Sequence, residues 1–521
     1  MRARPLVGSR AVMSGTVQRA WSGARKRGGG MGWQKWRRLF FGWSFPLGRR
    51  YWEEGGYREV LSLAIPLVLS SGAWAIQHFV DRMFLMWYSP AAVAAASPAG
   101  MLNYTIMSIF IGTAGYVSTF VAQYFGAGRW ERIGPSVWQG MYVSLLGGIV
   151  LLLFVPVARP LFALAGHDPQ VQEFEVEYFR ILCLGSFPPI ASSALSGFFL
   201  GIGRTVPVMV INLVETGSNL LLDYLLIFGK LGLPALGVRG AALATVASGV
   251  LAFTIYLVLI ARPEYRERYH TFSGWRLEPD LFRRLLHFGV PHGLQLFLDV
   301  AGFAAFVMVV GKLGTAALAA TNIAFNINTL AFMPMIGFGT AVSILVGQRL
   351  GEERVDLAER STYSAFHLTF AYMAAVAVLY VAVPDMFLAP FAAQSDPADF
   401  DAIRQAARVL LRFVAAYSVF DTMNVIFASA LKGAGDTRFV LRMILVASGL
   451  LFIVPTYVAV VHLGMGLCAA WTIASVYISV LGLSFLFRFL GGAWRRMRVI
   501  EKSGATVPAP IPEAPALQGK M

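Results

Sequence analysis

The chain has 521 residues, of which 57% are hydrophobic and only 14% are charged. Soluble globular proteins carry about 25% charged residues. This composition therefore excludes a soluble globular protein and indicates a chain surrounded mostly by lipid. The formal net charge of +15 is typical of basic loops at an anionic membrane surface, and we expect no nucleic-acid partner.

The first segment, residues 1–56, is a basic extension with an aromatic stretch from Trp33 to Trp43. We expect a disordered tail or an anchor at the membrane surface. An organelle transit peptide, or a translation start at Met13 or Met31, is the alternative that the sequence leaves open. At the other end, residues 491–521 form a C-terminal tail, in which the proline- and alanine-rich segment from Val507 to Leu517 is expected to be disordered.

Twelve apolar runs between these segments are long enough to cross a membrane as helices. They divide into an N-terminal lobe of residues 57–262, a basic linker of residues 263–284 and a C-terminal lobe of residues 285–490. The predicted spans are residues 59–84, 99–123, 136–158, 175–199, 205–228, 238–260, 285–310, 318–346, 362–384, 405–430, 438–460 and 464–489.

Basic residues occupy every second connection between these spans, for example Arg129 and Arg132 after the second span and Lys432 after the tenth. Because cytoplasmic loops retain Lys and Arg, both termini are predicted to be cytoplasmic. We expect a multi-pass protein of the inner (plasma) membrane of the cell.

The usual motifs of nucleotide, zinc and hydrolase sites are absent from the sequence. The two cysteines, Cys183 and Cys468, are too far apart for a CxxC metal or redox site. The sequence therefore predicts neither enzyme activity nor a resident cofactor.

The two halves of the chain repeat one another. Pro66 matches Pro291 and Gln123 matches Gln348, each at a separation of 225 residues, and Gly201-Ile-Gly resembles Gly433-Ala-Gly. A duplicated unit of six helices gives two lobes with the same orientation, related by an axis along the membrane normal. The predicted fold is therefore all-α, with twelve transmembrane helices in two pseudo-symmetric lobes around a central cleft, which favours a secondary transporter.

Four acids lie inside predicted spans, where a charge costs about 2.5 to 3.5 kcal/mol on insertion scales. They are Asp81, Asp223, Asp299 and Asp421. Asn219 precedes Asp223 by four residues and shares its helix face. With Asp81, this pair could place several oxygens around Na⁺ or share a proton. The alternative is a structural role, in which these acids only make hydrogen bonds between helices or lie at the membrane interface near Arg82.

Pro66 lies inside the first span and removes one backbone amide donor from the helix. We expect the helix to bend at this residue when the charge of Asp81 changes. The alternative is that Pro66 has no special role, since proline is common in membrane helices.

Several short motifs occur in a fixed order along the duplicated chain. They are Val80-Asp81, Gln123-Tyr-Phe-Gly-Ala127, Asn219 to Asp223, Gly237-Val-Arg-Gly-Ala-Ala-Leu-Ala-Thr245, Gln348-Arg-Leu-Gly351 and Leu431-Lys-Gly-Ala-Gly-Asp-Thr437. In this order the chain resembles the multidrug and toxic compound extrusion (MATE) family over residues 57–490. The resemblance implies an antiporter that works as a monomer, by alternating access, and exports organic cationic or lipophilic compounds in exchange for inward H⁺ or Na⁺.

The resemblance also assigns roles to individual residues. A site for the coupling proton or cation is implied at Asp81, Asn219, Asp223, the Ala241 carbonyl and the Thr245 hydroxyl. Na⁺ would be held by Asp81, Asn219, Asp223 and Thr245. Asp299 and Asp421 match acids that bind a second cation or substrate in some members. The chain departs from the family pattern at Arg204, where the motif usually has Asp, and at Trp87, where helix 1 usually ends in glycines.

Two other functional classes are compatible with a duplicated membrane fold. A lipid-linked precursor flippase of the related superfamily would need a cleft lined by Arg or Lys, whereas the basic residues here are predicted to lie in loops. A membrane scaffold or receptor would not need acids inside its spans.

Overall fold

A computed structural model describes residues 47–392 and 397–501. The expectations for residues 1–46 and for the tail beyond residue 501 lie outside the described residues. Within the described ranges, the protein is made of helices and their connections and contains no strand, which confirms the predicted all-α class.

Twelve membrane-spanning helices account for most of the described chain. Eleven are long and apolar enough by themselves, and a pair bent by 44° supplies the twelfth. The helices are α1 (Tyr57–Tyr88), α2 (Pro90–Gly115 and Val117–Gly126), α3 (Ile133–Leu152), α4 (Pro169–Leu184 and Phe187–Gly201), α5 (Thr205–Phe228), α6 (Val238–Ile260), α7 (Pro279–Gly311), α8 (Thr315–Gly351), α9 (Val355–Ala382), α10 (Pro397–Ala434), α11 (Thr437–His462, with π-helical turns at Ser448–Ile453 and Val458–His462) and α12 (Leu467–Gly491).

Short helices cover some of the ends and connections: Leu47–Trp52, Trp130–Arg132, Ala158–Ala163, Pro263–Tyr269, Pro384–Ala392 and Ala493–Arg496. Several observed ends differ from the predicted spans: α2 begins at Pro90 and α3 ends at Leu152. At α7, charged residues continue the helix. Helix α7 begins at Pro279, so residues 279–284 of the predicted linker are helical. Hydropathy marks where apolar residues stop, whereas a helix continues as long as its backbone hydrogen bonds do.

Pro66 lies buried inside α1, which is one uninterrupted helix from Tyr57 to Tyr88. The missing amide of a proline removes one hydrogen bond without ending the helix, since the neighbouring bonds remain. Bending at Pro66 in another conformation stays a prediction.

The two lobes share their hydrophobic cores at one side of the molecule. We call this side, where the connections after α2, α4, α6, α8 and α10 and the end of α12 lie, the basic face. Val60 and Leu63 at the start of α1 pack into the core of the C-terminal lobe. Leu281 and Leu285 at the start of α7 pack into the core of the N-terminal lobe. The first turns of α1 and α7 therefore hold the lobes together at the basic face.

At the opposite side, the cores of the lobes are separate. One cluster contains Leu85, Ala92 and Val238 of the N-terminal lobe, and another contains Phe306 and Ala320 of the C-terminal lobe. Because the shared cores lie only toward the basic face among the described residues, the cleft between the lobes opens away from the basic face.

The repeated glutamines join the lobes in a symmetric way. The Gln123 Nε2 donates to the Gly433 carbonyl at 3.1 Å, and the Gln348 Nε2 donates to the Gly201 carbonyl at 2.8 Å. Each glutamine thus reaches from its own lobe to the repeat glycine of the other lobe. The duplicated motifs at these positions form one reciprocal contact that closes the basic face.

The end of the described chain also crosses between the lobes. We call residues 493–501 the C-terminal strap. It leaves α12 with Trp494 buried against the C-terminal lobe, where the indole Nε1 donates to the Phe489 carbonyl at 2.8 Å. Val499 then lies in the core of the N-terminal lobe, and its amide donates to the Gln123 Oε1 at 2.9 Å.

The strap ends in a basic site on the N-terminal side. The Glu501 carboxylate accepts hydrogen bonds from the Tyr124 hydroxyl at 2.7 Å, from the Arg129 Nη2 at 2.8 Å and from Arg284. Partial burial raises the pKa of the Glu501 carboxyl, but the hydrogen bonds from Tyr124 and Arg284 outweigh burial and hold this pKa at about 2. The carboxylate is therefore charged at any physiological pH.

The variant Glu501→Gln is expected to weaken docking of the strap by about 1 kcal/mol, because a half-exposed charge contributes little more than that. Hydrogen exchange of the amides of residues 497–501, read by mass spectrometry, should then rise about fivefold. The exposed Glu267→Gln serves as the control, and unchanged exchange in Glu501→Gln would contradict the expectation. The pKa of Glu501 is depressed, so its stabilising contribution is complete above about pH 5 and is lost only as the pH falls toward 2.

Candidate functional site

Two of the predicted acids meet inside the N-terminal lobe. Asp81 of α1 and Asp223 of α5 have carboxyl groups within hydrogen-bonding reach of each other. Asp223 is only 1% exposed. One carboxylate oxygen of each residue, Oδ1, is buried without a hydrogen-bond partner among the described residues. The contact between the acids therefore leaves unused oxygen ligands on both sides.

Asn219 lies one turn before Asp223 on α5 and is fully buried. Neither its Oδ1 nor its Nδ2 has a hydrogen-bond partner among the described residues. A buried polar group without a partner costs roughly 1 to 3 kcal/mol, so such a group is expected to receive a ligand in some state of the protein.

The predicted ligands on α6 lie next to the acids but bond to each other. The Thr245 Oγ1 donates to the Ala241 carbonyl at 3.0 Å, one turn earlier on the same helix. Tyr178 of α4 interacts electrostatically with both Asp81 and Asp223, and its hydroxyl is within hydrogen-bonding reach of Thr245. The structure thus brings Asp81, Asp223 and Thr245 of three helices together around Tyr178. No motif of the sequence singles out this tyrosine.

The acid pair and its polar neighbours have the chemistry to bind a proton or a small cation. Two carboxylates in contact repel one another unless a proton or a cation lies between them. Carboxylate, amide and hydroxyl oxygens are hard ligands, which suit a proton or a hard cation such as Na⁺. Within the described residues, no group of three or more His, Cys, Asp or Glu side chains could hold a metal ion.

The other two predicted acids form a separate group in the C-terminal lobe. The Asp299 carboxylate accepts a hydrogen bond from Gln295 at 3.4 Å, and the Asp421 carboxylate accepts one from Asn424 at 3.3 Å. The two acids interact electrostatically, and Tyr477 of α12 interacts with both. Asp299 is exposed to the cleft, whereas Asp421 is only 8% exposed.

Lys432 adds a base to this group of acids. Its predicted position in a basic connection after the tenth span is wrong. It lies in the last turn of α10, and its ammonium group interacts with Asp299 and His292. Helix α10 continues to Ala434, past the end of its apolar run, so Lys432 is helical. Its ammonium group is within electrostatic reach of Asp299. The C-terminal group is therefore two acids with one base.

The variant Lys432→Gln is expected to tighten binding of a cationic dye such as ethidium, because the lysine competes with a bound cation for Asp299. A change of about 1 kcal/mol corresponds to roughly fivefold in Kd. Fluorescence titration of the purified protein measures this change, with the exposed Lys230→Gln as control. Equal or weaker binding by Lys432→Gln would show that the lysine does not oppose a bound cation.

A further acid, Glu215, lies in the middle of α5 and was not among the predicted site residues. The sequence could have indicated Glu215, because this residue falls within the predicted span 205–228 and a charged side chain in a span is energetically costly.

Comparison with known proteins agrees with this architecture. The MatE family model matches residues 66–225 and 291–458, one match in each predicted repeat. The chain is 30% identical over 458 residues to a probable multidrug resistance protein NorM of Pseudomonas putida, covering 87% of this chain and 98% of the relative. It is 26% identical over 442 residues to a probable NorM of a Synechocystis species, covering 84% of this chain and 95% of the relative.

Solved structures show the same fold. A MOP superfamily transporter from Pyrococcus furiosus superposes with a TM-score of 0.77 at 20% identity, covering 87% of this chain and 99% of that one. An outward-facing multidrug resistance MATE transporter gives 0.77 at 19% identity, covering 85% and 97%. The duplicated helices, the paired acids of the N-terminal lobe and these matches together show that the chain belongs to the MatE family and is a multi-pass multidrug efflux transporter.

Proposed function

We propose that the protein is a secondary antiporter that exports organic, cationic or lipophilic compounds in exchange for inward H⁺ or Na⁺. The observation that carries this proposal is the contact between Asp81 and Asp223 beside the unpartnered Asn219. Arg82 already supplies one positive charge next to Asp81, but two adjacent carboxyl groups with surplus oxygens still favour a bound cation or proton.

The coupling ion would be held by Asp81, Asn219, Asp223 and Thr245, with the Ala241 carbonyl as a further ligand once the Thr245 hydroxyl releases it. Neutralisation of Asp81 would remove a negative charge from the second half of α1 and favour a bend at Pro66. The bend would narrow the N-terminal lobe and expel the substrate. No resident cofactor is needed for this cycle, because the ion gradient supplies the free energy.

Organic substrates would enter the cleft between the lobes, where Asp299 faces the open space. With Asp421, this acid would bind a second cation or the positive charge of the substrate. Each lobe already contains one group of acids, so a monomer is sufficient for transport.

We further propose that the basic face is cytoplasmic and that the protein lies in the inner (plasma) membrane of the cell. The positively charged residues of the connections support this orientation. In that orientation the described conformation is closed to the cytoplasm by Gln123, Gln348 and the strap.

The direct test is export of ethidium from proteoliposomes that contain the purified protein. A pH gradient and a Na⁺ gradient are imposed one at a time, so that the two coupling ions are separated. We expect one gradient to drive export and its collapse by an ionophore to stop it. Export that needs neither gradient, or its absence under both, would reject the antiport.

Lys432 is the one observation that favours the alternative flippase, since it places a base inside the C-terminal lobe. Its ammonium group interacts with Asp299, however, and Asp299 interacts in turn with Asp421, so the formal charge of this group is negative and repels a pyrophosphate. Translocation of a labelled lipid-linked sugar in the same liposomes, without export of ethidium, would favour the flippase.

A further inference from the structure

Glu215 lies in the interior of the N-terminal lobe. On α5 it shares a helix face with Ile211, which belongs to the core of this lobe, and with the fully buried Asn219. At 1.5 Å per residue, Glu215 is about 6 Å along the helix axis from Asn219 and about 12 Å from Asp223, toward the basic face. It is therefore directed neither to lipid nor to the acids of the C-terminal lobe.

The polar neighbours of Glu215 on α5 already have partners. Asn212 hydrogen-bonds to Ser70 of α1 and to the Tyr256 hydroxyl of α6, and Thr216 donates to the Gln77 side chain at 3.3 Å. By contrast, no described side chain donates a hydrogen bond to the Glu215 carboxylate or forms an ion pair with it. Tyr256 of α6 interacts electrostatically with the Glu215 carboxylate.

A structural role does not explain this residue. A carboxylate inside a span costs about 2.5 to 3.5 kcal/mol on insertion scales, and no basic partner offsets the cost. Asn219, which lies between Glu215 and Asp223, is unpartnered as well. Glu215, Asn219 and Asp223 thus form a line of unused oxygen ligands that runs from the acid pair to the middle of the membrane.

We propose that Glu215 is a second binding position for the coupling ion, between the Asp81–Asp223 pair and the basic face. This inference rests on the proposed antiport. In the Na⁺ case, the ion moves along α5 past the Asn219 amide oxygen to the Glu215 carboxylate. In the H⁺ case, the proton leaves a carboxyl group of the pair, Glu215 accepts it, and the pair is left with one more negative charge.

Binding of an organic cation is the competing role, and the surroundings disfavour it. Glu215 is only partly exposed and shares a helix face with the core residue Ile211, whereas Asp299 is exposed and thus accessible to a larger compound. A small ion needs only the narrow line of oxygens along α5.

The variant Glu215→Gln separates these roles, because glutamine keeps the shape and removes the charge. We expect ion-driven ethidium export to fall at least about tenfold, while the Kd for ethidium stays within about twofold of the wild-type value. The exposed Glu131→Gln is the control. Undiminished export, or ethidium binding weakened by about tenfold with export of a neutral substrate intact, would overturn the proposal.

A second measurement uses the wild-type protein and needs no transport. Dicyclohexylcarbodiimide modifies protonated carboxyl groups in apolar sites, and peptide mass spectrometry reports the modified fraction of Glu215. If Na⁺ is the coupling ion, replacing choline by Na⁺ should protect Glu215; if H⁺ is, modification should rise as the pH falls. Modification that responds to neither ion overturns the proposal. Loss of all ion-driven export in the wild-type protein would instead reject the antiport itself, and the modification result still decides whether Glu215 binds an ion.

Discussion

Replacing Asp81 or Asp223 by asparagine is expected to reduce ion-driven export to the background of empty liposomes, with the protein still inserted and folded. Asparagine keeps the size and one oxygen of the side chain but cannot release a proton or balance a cation. The loss should exceed about a hundredfold, since these acids would bind the ion itself rather than position another ligand. Ethidium export from proteoliposomes under the active gradient measures it.

The control for these two variants is again Glu131→Gln, which removes an exposed acid outside the membrane. Elution of each variant as a single species on size-exclusion chromatography shows that it is folded. Full activity of both Asp81→Asn and Asp223→Asn would reject the assignment of the coupling site to the N-terminal lobe. Loss in Asp299→Asn and Asp421→Asn alone would move coupling to the C-terminal lobe.

Alanine at Gly126 or Gly351 is expected to prevent closure of the basic face. A Cβ at Gly126 would lie 2.0 Å from the Gln348 carbonyl oxygen, and a Cβ at Gly351 would lie 2.2 Å from the Gln123 carbonyl oxygen. Both obstacles are backbone atoms, so the helices have to move apart at a cost of about 1 to 3 kcal/mol. That cost shifts the balance away from the closed basic face by about 5- to 150-fold.

Spin labels at the exposed positions Glu131 and Asp356, one in each lobe near the basic face, report this change. Pulsed electron resonance should show longer distances in Gly126→Ala and Gly351→Ala, together with impaired export. Gly249→Ala is the matched control, because the nearest atom to its Cβ, a carbon of the Pro189 ring, is at an ordinary 3.8 Å. Distances that match those of the unsubstituted protein would show that the glycine contact is not required for closure.

The fold could be predicted to a large extent, because the apolar spans and the duplication can both be recognised in the sequence without knowing how the helices pack. The separation of 225 residues between Gln123 and Gln348 indicated two equivalent lobes. The role of these glutamines could not be predicted. Each one bonds to the other lobe, and a contact between lobes depends on how they are packed rather than on any local pattern.

The sequence predicts a site residue when burying its charge in a membrane span costs free energy. It does not predict a residue whose role depends on a neighbour in space. Asp81 and Asp223 could be predicted, because an acid inside a membrane span costs free energy that a functional role explains. Glu215 met the same criterion and was overlooked. Lys432 was assigned to a loop because the apolar run ends before the helix does, and Tyr178 has no signal in the sequence, since tyrosine is ordinary in a membrane helix.

The strap also has a consequence for how the protein is made. Ribosomes synthesise Glu501 after all twelve helices, so Arg129, Arg132 and Arg284 emerge and reach the membrane long before their acidic partner exists. With the basic face cytoplasmic, their uncompensated charge is present when the orientation of the early helices is decided. Only afterwards does Glu501 arrive and neutralise part of that charge. In that orientation the same arginines would help to determine topology during biogenesis, and in the finished protein they bind Glu501 of the strap.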